Sequence, residues 1–204
     1  MLEYFYVTPV ASIIFVITLL TSFLAFSNPE IYESLILSPY QVYRKQKLYT
    51  LFTSGLIHKD WSHLFFNMLS YYFFAFNLER IMGHWQFAVL YLVSLVLSDL
   101  PTVMKHREDF WYRTLGASGA ISAVVFSFIM FDPMTKMIIF PLPIPIPAIL
   151  FGVLYLAYCV YASRQEIGTI NHDAHFYGAL NGIIITIILY HQVVPNFFEQ
   201  LGLR

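Results

Sequence analysis

The stretch Leu115–Gly–Ala–Ser–Gly–Ala–Ile121 opens an apolar run and follows a polar loop at residues 105–113. Gly116 and Gly119 lack the side chains that would keep a substrate backbone away from the Ser118 hydroxyl. The first backbone N–H groups of a helix have no partner within it, so a helix that begins here can stabilise an oxyanion beside the serine. This is the local chemistry of a serine hydrolase. The same glycine–serine pattern is also typical of packing surfaces between helices in lipid.

The composition indicates a membrane protein. Of the 204 residues, 58% are hydrophobic and only 11% are charged, with a mean hydropathy of +0.65. A soluble domain has about a quarter charged residues, so this chain is built for lipid. The formal net charge of -1 gives no reason to expect a nucleic acid as partner. The single cysteine, Cys159, cannot form an internal disulfide, so it does not report the redox compartment.

Six apolar runs predict six transmembrane helices, because backbone groups in lipid must be paired within their own segment. The runs are 9–26, 61–78, 85–100, 119–131, 148–162 and 174–190. No secretory signal is evident before the first run, so we expect it to remain as a span. The predicted fold class is therefore an all-α polytopic membrane protein, with residues 1–204 in a single domain.

Two connections have their own character. The long stretch Ser27–Asp60 mixes basic, aromatic and aliphatic residues, and we expect short amphipathic helices that lie in the membrane interface. In the run Pro141–Pro147 every second residue is proline, which fixes the backbone and removes an N–H donor. This run should therefore be extended and lead into the fifth span.

The fourth span is short. From Gly119 to Phe131, just before Asp132–Pro133, it has thirteen residues. That is roughly 20 Å of helix, whereas the hydrocarbon core is ~30 Å thick. If Asp132 lies at one interface, Ser118 lies on the order of 10 Å below the other. Water must then reach the serine through a cavity lined by protein.

Polar residues recur at the beginnings of spans two, four and six, which run in the same direction. They are His63, Asn67, Ser118 and His175. Their shared position predicts that they meet at one depth on one side of the membrane. Since intramembrane polar residues that cluster are typically functional, His175 is the candidate general base for Ser118.

Two stripes of small residues predict close packing of spans four and six, because small side chains let helix backbones approach. They are Gly119, Ala123 and Ser127 on the fourth span, and Gly178, Gly182 and Thr186 on the sixth. We therefore expect a hydrogen bond between Ser118 and His175 beside these stripes. No carboxylate is expected to orient the histidine: Glu79 ends the second span on the opposite side, Asp99 ends the third, and Asp173, two residues from His175, points elsewhere on a helix. The sequence predicts a Ser–His dyad.

His63 and Asn67 are four residues apart and share one helix face. Both side chains can donate a hydrogen bond to a developing oxyanion, alongside the backbone N–H of Ser118. The alternative is that they only tie spans together, as buried polar residues in membranes often do.

Three motifs in this order resemble the rhomboid intramembrane serine proteases. They are His63–Leu–Phe–Phe–Asn67, Gly116–Ala–Ser–Gly119 and Ala174–His175–Phe–Tyr–Gly178. The resemblance extends from about Tyr49 to Gly182. It implies Ser118 as nucleophile, His175 as general base, and His63 with Asn67 as donors to the oxyanion. The resemblance also implies that the N-terminus is cytosolic and that the protein lies in the plasma membrane of a bacterium. It implies single-span membrane proteins as substrates, which are cut near the extracytoplasmic boundary of the membrane.

The chain departs from the family pattern at two places. Tyr49–Thr50 stands where bacterial relatives often have Trp–Arg, and Ser122 stands where many have a tyrosine that stacks on the histidine. We expect a nearby aromatic to replace that tyrosine, with Phe176, Tyr177 and Phe126 as candidates. His58 matches a further loop histidine of the family and is interpreted as structural.

Other classes of protein compete with this interpretation. The main alternative is a catalytically silent binder of transmembrane helices with the same fold. A metal site is disfavoured, since the histidine spacings fit no zinc pattern and no thiolate or buried carboxylate is expected beside them; the histidines are His58, His63, His84, His106, His172, His175 and His191. The sequence therefore predicts no metal and no cofactor. A transporter is disfavoured because no pair of interrupted helices recurs in two halves.

The basic residues favour the opposite orientation to the one that the family resemblance implies. With a cytosolic N-terminus, the inside segments hold three of them, Arg80, Lys136 and Arg204. The outside segments hold eight, Arg44, Lys45, Lys47, Lys59, Lys105, Arg107, Arg113 and Arg164. The positive-inside rule therefore predicts the opposite topology, with the N-terminus outside. Because four of the eight lie in the long first loop, we expect the orientation implied by the family.

Overall fold

The structure is a bundle of helices, seen in a computed structural model that describes residues 2–139, 142–165 and 170–203. The helices are α1 (Leu2–Val7), α2 (Pro9–Ser27), α3 (Pro29–Leu35), α4 (Pro39–Tyr43), α5 (Thr50–Thr53), α6 (Trp61–Met82), α7 (His84–Leu97), α8 (Leu100–Lys105), α9 (Ser118–Phe131), α10 (Ala148–Arg164), α11 (His172–Leu189) and α12 (Val193–Gln200). A 3₁₀ turn, Ser54–Leu56, follows α5, and two strands, β1 (Lys136–Ile139) and β2 (Leu142–Pro147), form a hairpin before α10.

The predicted all-α membrane fold is confirmed. Helices α2, α6, α7, α9, α10 and α11 each begin within two residues of a predicted apolar run. Among the described residues, two helical segments are long and apolar enough to cross a membrane, 9–27 and 84–105. A third would be α11 with α12, which bend by 114° at their junction. The protein is an integral membrane protein, and the count of six crossings stays a prediction.

Helix α9 lies at the centre of the bundle. Eleven of its fourteen residues are buried, and it packs against α6, α7, α10 and α11. A helix that is apolar all round is stable only when neighbours or lipid surround it, and here neighbouring helices do so. Its first residue is Ser118, so the candidate nucleophile sits at the end of the most enclosed element.

The predicted close packing of α9 and α11 is confirmed. A Cβ added at Gly178 would overlap the carbonyl oxygen of Gly119, and one at Gly182 would overlap that of Ala123. One further turn along, the Thr186 hydroxyl donates a hydrogen bond of 2.6 Å to Ser127 Oγ. The two stripes therefore align in register, which fixes the ends that carry Ser118 and His175 relative to each other.

A buried carboxylate joins α2 to α6. Glu79 is fully buried, and its oxygens accept hydrogen bonds from the backbone N–H groups of Ala11 (2.6 Å) and Val10 (3.1 Å). These are unpaired donors of the first turn of α2, where a negative charge is favourable. His84 Nδ1 lies 2.6 Å from the same carboxylate. The Glu79 carboxylate therefore has partners on both α2 and α7.

The connections match expectation in part. Helices α3, α4 and α5 are the short helices predicted between Ser27 and Asp60. In the predicted extended run, Leu142–Pro147 is a strand, whereas Pro141 lies outside the described residues. The sequence did not predict that this strand pairs with β1. Alternating prolines fix the backbone conformation but do not indicate which segment pairs with it.

Candidate active site

The loop before Ser118 is held on both sides. Thr114 and Leu37 exchange backbone hydrogen bonds of 3.1 Å, and the N–H of Gly116 donates to Ser54 O at 2.9 Å. Gly116 has φ +112°, a conformation that side-chain-bearing residues rarely adopt. The first loop of the chain thus fixes the turn that delivers the serine to α9.

The predicted site residues line one cavity. Its volume is about 1100 Å³, and Ser118, His175, His63 and Asn67 all lie on its wall. Ser118 is the first residue of α9, so backbone N–H groups of the first turn adjoin its hydroxyl. Three helices, α6, α9 and α11, bring the four residues to this shared space.

His63 packs directly on the serine loop. A Cβ on Gly116 would lie 2.9 Å from His63 Nε2, so only glycine leaves room for this imidazole. The backbone N–H of His63 donates 2.8 Å to Asp60 Oδ1, which caps α6 and fixes the first turn. The His63 ring is therefore held against Gly116, which precedes Ser118 by two residues.

His58 supports His63 from behind, in agreement with its structural interpretation. Its ring is fully buried and meets the His63 ring edge-on, with centroids 5.0 Å apart. Its Nδ1 lies 3.0 Å from Ser22 Oγ in α2. Burial, with a smaller contribution from His63, lowers the pKa of His58 to about 3, so this ring stays neutral.

Tyr155 of α10 takes the place of the missing family tyrosine. Its hydroxyl lies 3.0 Å from His175 Nδ1, and the two rings are nearly parallel, at 15° with centroids 6.2 Å apart. The same hydroxyl lies 3.0 Å from Ser122 Oγ, the residue that replaced the expected tyrosine. The candidates Phe176, Tyr177 and Phe126 were wrong. The aromatic ring comes from the neighbouring helix.

The first turn of α11 is fastened to the serine loop through Asn171. Its Oδ1 accepts hydrogen bonds from Ala174 N (3.0 Å) and Thr102 Oγ1 (3.1 Å), and its Nδ2 donates to Thr114 Oγ1 (3.2 Å). This N-cap holds the turn that carries His175.

Asp173 points away from His175, as predicted, and binds Lys105 (2.8 Å) and Ser163 instead. Asp99 does line the cavity, since an odd-numbered span ends where the even-numbered spans begin.

The predicted hydrogen bond between Ser118 and His175 is not formed among the described residues. Instead, His175 Nδ1 lies 3.0 Å from the Tyr155 hydroxyl. Catalytic hydrogen bonds are often long in a site without substrate, because they tighten only when the substrate binds. The structure therefore gives a shared cavity and an oriented histidine.

Comparison with known proteins places the chain in a family. The model of the rhomboid domain matches residues 45–192, which is most of the chain and includes every predicted site residue. The chain belongs to the rhomboid family.

The names of similar proteins include both a protease and an inactive protein. The putative rhomboid protease YdcA of Bacillus subtilis is 29% identical over 147 residues, 68% of this chain and 65% of that protein. The mitochondrial RHOMBOID-like protein 12 of Arabidopsis thaliana is 26% identical over 152 residues, 67% of this chain and 45% of that protein. The inactive rhomboid protein 1 of Drosophila melanogaster is 30% identical over 159 residues, 76% of this chain but 10% of that protein. The chain spans less than two thirds of the length of each of these relatives.

Proposed function

We propose that this chain is an intramembrane serine endopeptidase that uses Ser118 and His175 as a catalytic dyad. The observation that carries the proposal is the pairing of two helix beginnings on one cavity, one with a serine between glycines and one with a histidine whose Nδ1 is engaged by Tyr155. A packing role alone would need neither the cavity nor the engaged imidazole.

The geometry supports general-base catalysis. When His175 donates from Nδ1 to the Tyr155 hydroxyl, its proton is on Nδ1 and its Nε2 lone pair is free. That lone pair removes the proton of Ser118 as the oxygen attacks a substrate carbonyl. The resulting imidazolium then returns the proton to the leaving amine. With its hydroxyl as the acceptor, Tyr155 holds the tautomer that this sequence of steps requires.

The oxyanion of the tetrahedral intermediate has donors on two sides. The backbone N–H of Ser118 belongs to the first turn of α9, and His63 packs on the glycine two residues before it. Asn67 adds a side-chain amide on the same face of α6. Removal of one such donor costs up to ~10²–10³-fold in turnover, and the others keep part of the stabilisation.

The substrates proposed are single transmembrane helices of membrane proteins. A peptide bond inside an intact helix is shielded, because its carbonyl accepts a hydrogen bond from four residues on. Local unwinding must precede attack, so helices weakened by glycine, proline or polar residues should be preferred. A Cβ at Gly116 would meet His63 and one at Gly119 would meet Ser98, so the turn beside Ser118 is crowded and small residues are proposed at the cleaved bond.

A silent binder of transmembrane helices is the second candidate function. Two observations favour it: Ser118 and His175 are not hydrogen-bonded to each other in the described residues, and one relative is named an inactive rhomboid protein. Both candidates use the same cavity to meet a membrane helix. They differ in whether Ser118 is a nucleophile.

Fluorophosphonate labelling separates the two functions. A fluorophosphonate reacts with a serine only when a base activates the hydroxyl. We expect the purified chain to be labelled at Ser118, mapped by mass spectrometry, and Ser118→Ala to stay unlabelled. A chain that cleaves no single-span model substrate and takes up no label would be the silent binder. Labelling that persists in Ser118→Ala would place the reactive group elsewhere.

We further propose that the N-terminus is cytosolic and the active site faces the extracytoplasmic side of a bacterial plasma membrane. Cysteines introduced at Arg107 and Lys136, in a Cys159→Ala background, report the two faces. In sealed cells an impermeant maleimide should label position 107 and spare position 136. The reverse pattern would place the active site in the cytosol, the orientation that the basic residues favour.

A further inference from the structure

A cysteine and two histidines converge beside the proposed general base. Cys159, His172 and His175 each offer one ligand atom, and these atoms all lie within 4.8 Å of one another. Cys159 is one turn beyond Tyr155 on α10, whereas both histidines are in the first turn of α11. The sequence argument against a metal assumed that no thiol accompanies the histidines. Packing of α10 on α11 brings one there.

The donor set fits a zinc ion. Zn²⁺ binds thiolate sulfur at about 2.3 Å and imidazole nitrogen at about 2.0–2.1 Å, which places one sulfur and two nitrogens of a tetrahedral site about 3.3–3.6 Å apart. The observed limit of 4.8 Å exceeds that by about an ångström, a gap that small side-chain rotations close. Three protein ligands leave a fourth position for water, as in accessible zinc sites and unlike closed structural ones.

The ion has a route to the cluster. His172 and His175 line the same 1100 Å³ cavity as Ser118, whereas Cys159 is buried behind them with 1% of its surface exposed. Zn²⁺ entering from the cavity meets the two imidazoles first. The thiol then binds as thiolate and releases its proton to the water of the cavity.

We propose that Cys159, His172 and His175 form a zinc site, and that a zinc ion bound there inhibits the protease. A neutral imidazole that gives one ring nitrogen to a metal keeps its proton on the other. His175 bound to zinc therefore has no lone pair for Ser118, whichever nitrogen binds. Inhibition rests on the proposed protease function, but binding of the ion does not.

Zinc binding is measured first, without any activity assay. The full chain in detergent, stripped with a chelator, is titrated with Zn²⁺ against a chromophoric competitor. We expect one equivalent bound by the wild type and an affinity at least tenfold lower in Cys159→Ala and His172→Ala. His106→Ala is the matched control, because His106 lines the same cavity outside the cluster and should leave binding unchanged.

Two further measurements keep the proposal independent of folding and of catalysis. Co²⁺ in place of zinc should give a thiolate charge-transfer band that Cys159→Ala lacks, while circular dichroism shows that the variant is folded. With a single-span model substrate, Zn²⁺ should inhibit the wild type at least tenfold and Cys159→Ala much less, at equal turnover without zinc.

The outcomes distinguish this proposal from the protease function. Zinc bound through Cys159 by a chain that cleaves nothing would retain the metal site and overturn the protease. Equal zinc affinity in the wild type and Cys159→Ala, or inhibition unchanged by that substitution, would overturn the metal site and leave the protease intact.

Discussion

We expect Ser118→Ala to abolish cleavage of a single-span model substrate by the purified chain and to leave the variant folded in the membrane. The substitution removes the proposed attacking oxygen from the first residue of α9. Stability should change little, because Ser118 lines the cavity at the first residue of α9 and alanine is a good helix former. Substrate cleavage is followed by gel electrophoresis, and folding is followed by thermal unfolding.

A matched serine variant controls for the cavity itself. Ser70→Ala removes a hydroxyl from the same cavity on α6 and should keep full turnover. His175→Ala should abolish cleavage as completely as Ser118→Ala, because nucleophile and base act as a unit. Turnover that survives in pure Ser118→Ala would end the serine-protease hypothesis.

Tyr155→Ala is expected to lower kcat on the order of 10²-fold, since a catalytic group that loses its positioning costs about this much. The variant loses both the ring stacked on His175 and the hydroxyl bonded to Nδ1. Tyr155→Phe keeps the ring and loses only the hydrogen bond, so a fall of roughly tenfold is expected, with KM nearly unchanged. The measurements are kcat and KM on a model substrate and the rate of fluorophosphonate labelling.

Tyr158→Phe is the control for this series. Tyr158 is on the same helix but meets His172 edge-on, with centroids 5.4 Å apart, whereas the ring of Tyr155 stacks on His175. It should behave as wild type. If Tyr155→Phe kept the wild-type kcat and labelling rate, Tyr155 would be a packing residue and the tautomer of His175 would be set by another group.

The parts of the site that sequence could predict are those set by helix periodicity. Gly119 and Gly178 were found because small residues recur every four positions, and their contact follows once two helices are known to meet. His63 and Asn67 were found because a spacing of four places both on one face.

Tyr155 and Cys159 could not be found in that way. They lie on α10, which is antiparallel to α11, and their register against His175 depends on the packing of the whole bundle. No local pattern of residues encodes that register. The hydrogen bond expected between Ser118 and His175 failed for a related reason, because spacing gives proximity and does not determine which partner an imidazole selects.

The hydrogen bonds made by α2 show that the folded unit of this protein includes a helix outside the residues that the family model matches. The family match begins at residue 45 and leaves out Pro9–Ser27 entirely. Yet that helix supplies the N–H donors that satisfy the buried charge of Glu79, and its Ser22 holds the ring behind His63. A fragment cut at the family boundary would remove both backbone donors from the Glu79 carboxylate and leave His84 as its partner. Helix α2 therefore supports the side of the cavity that carries His63, and the folded unit extends beyond the residues that the family model matches.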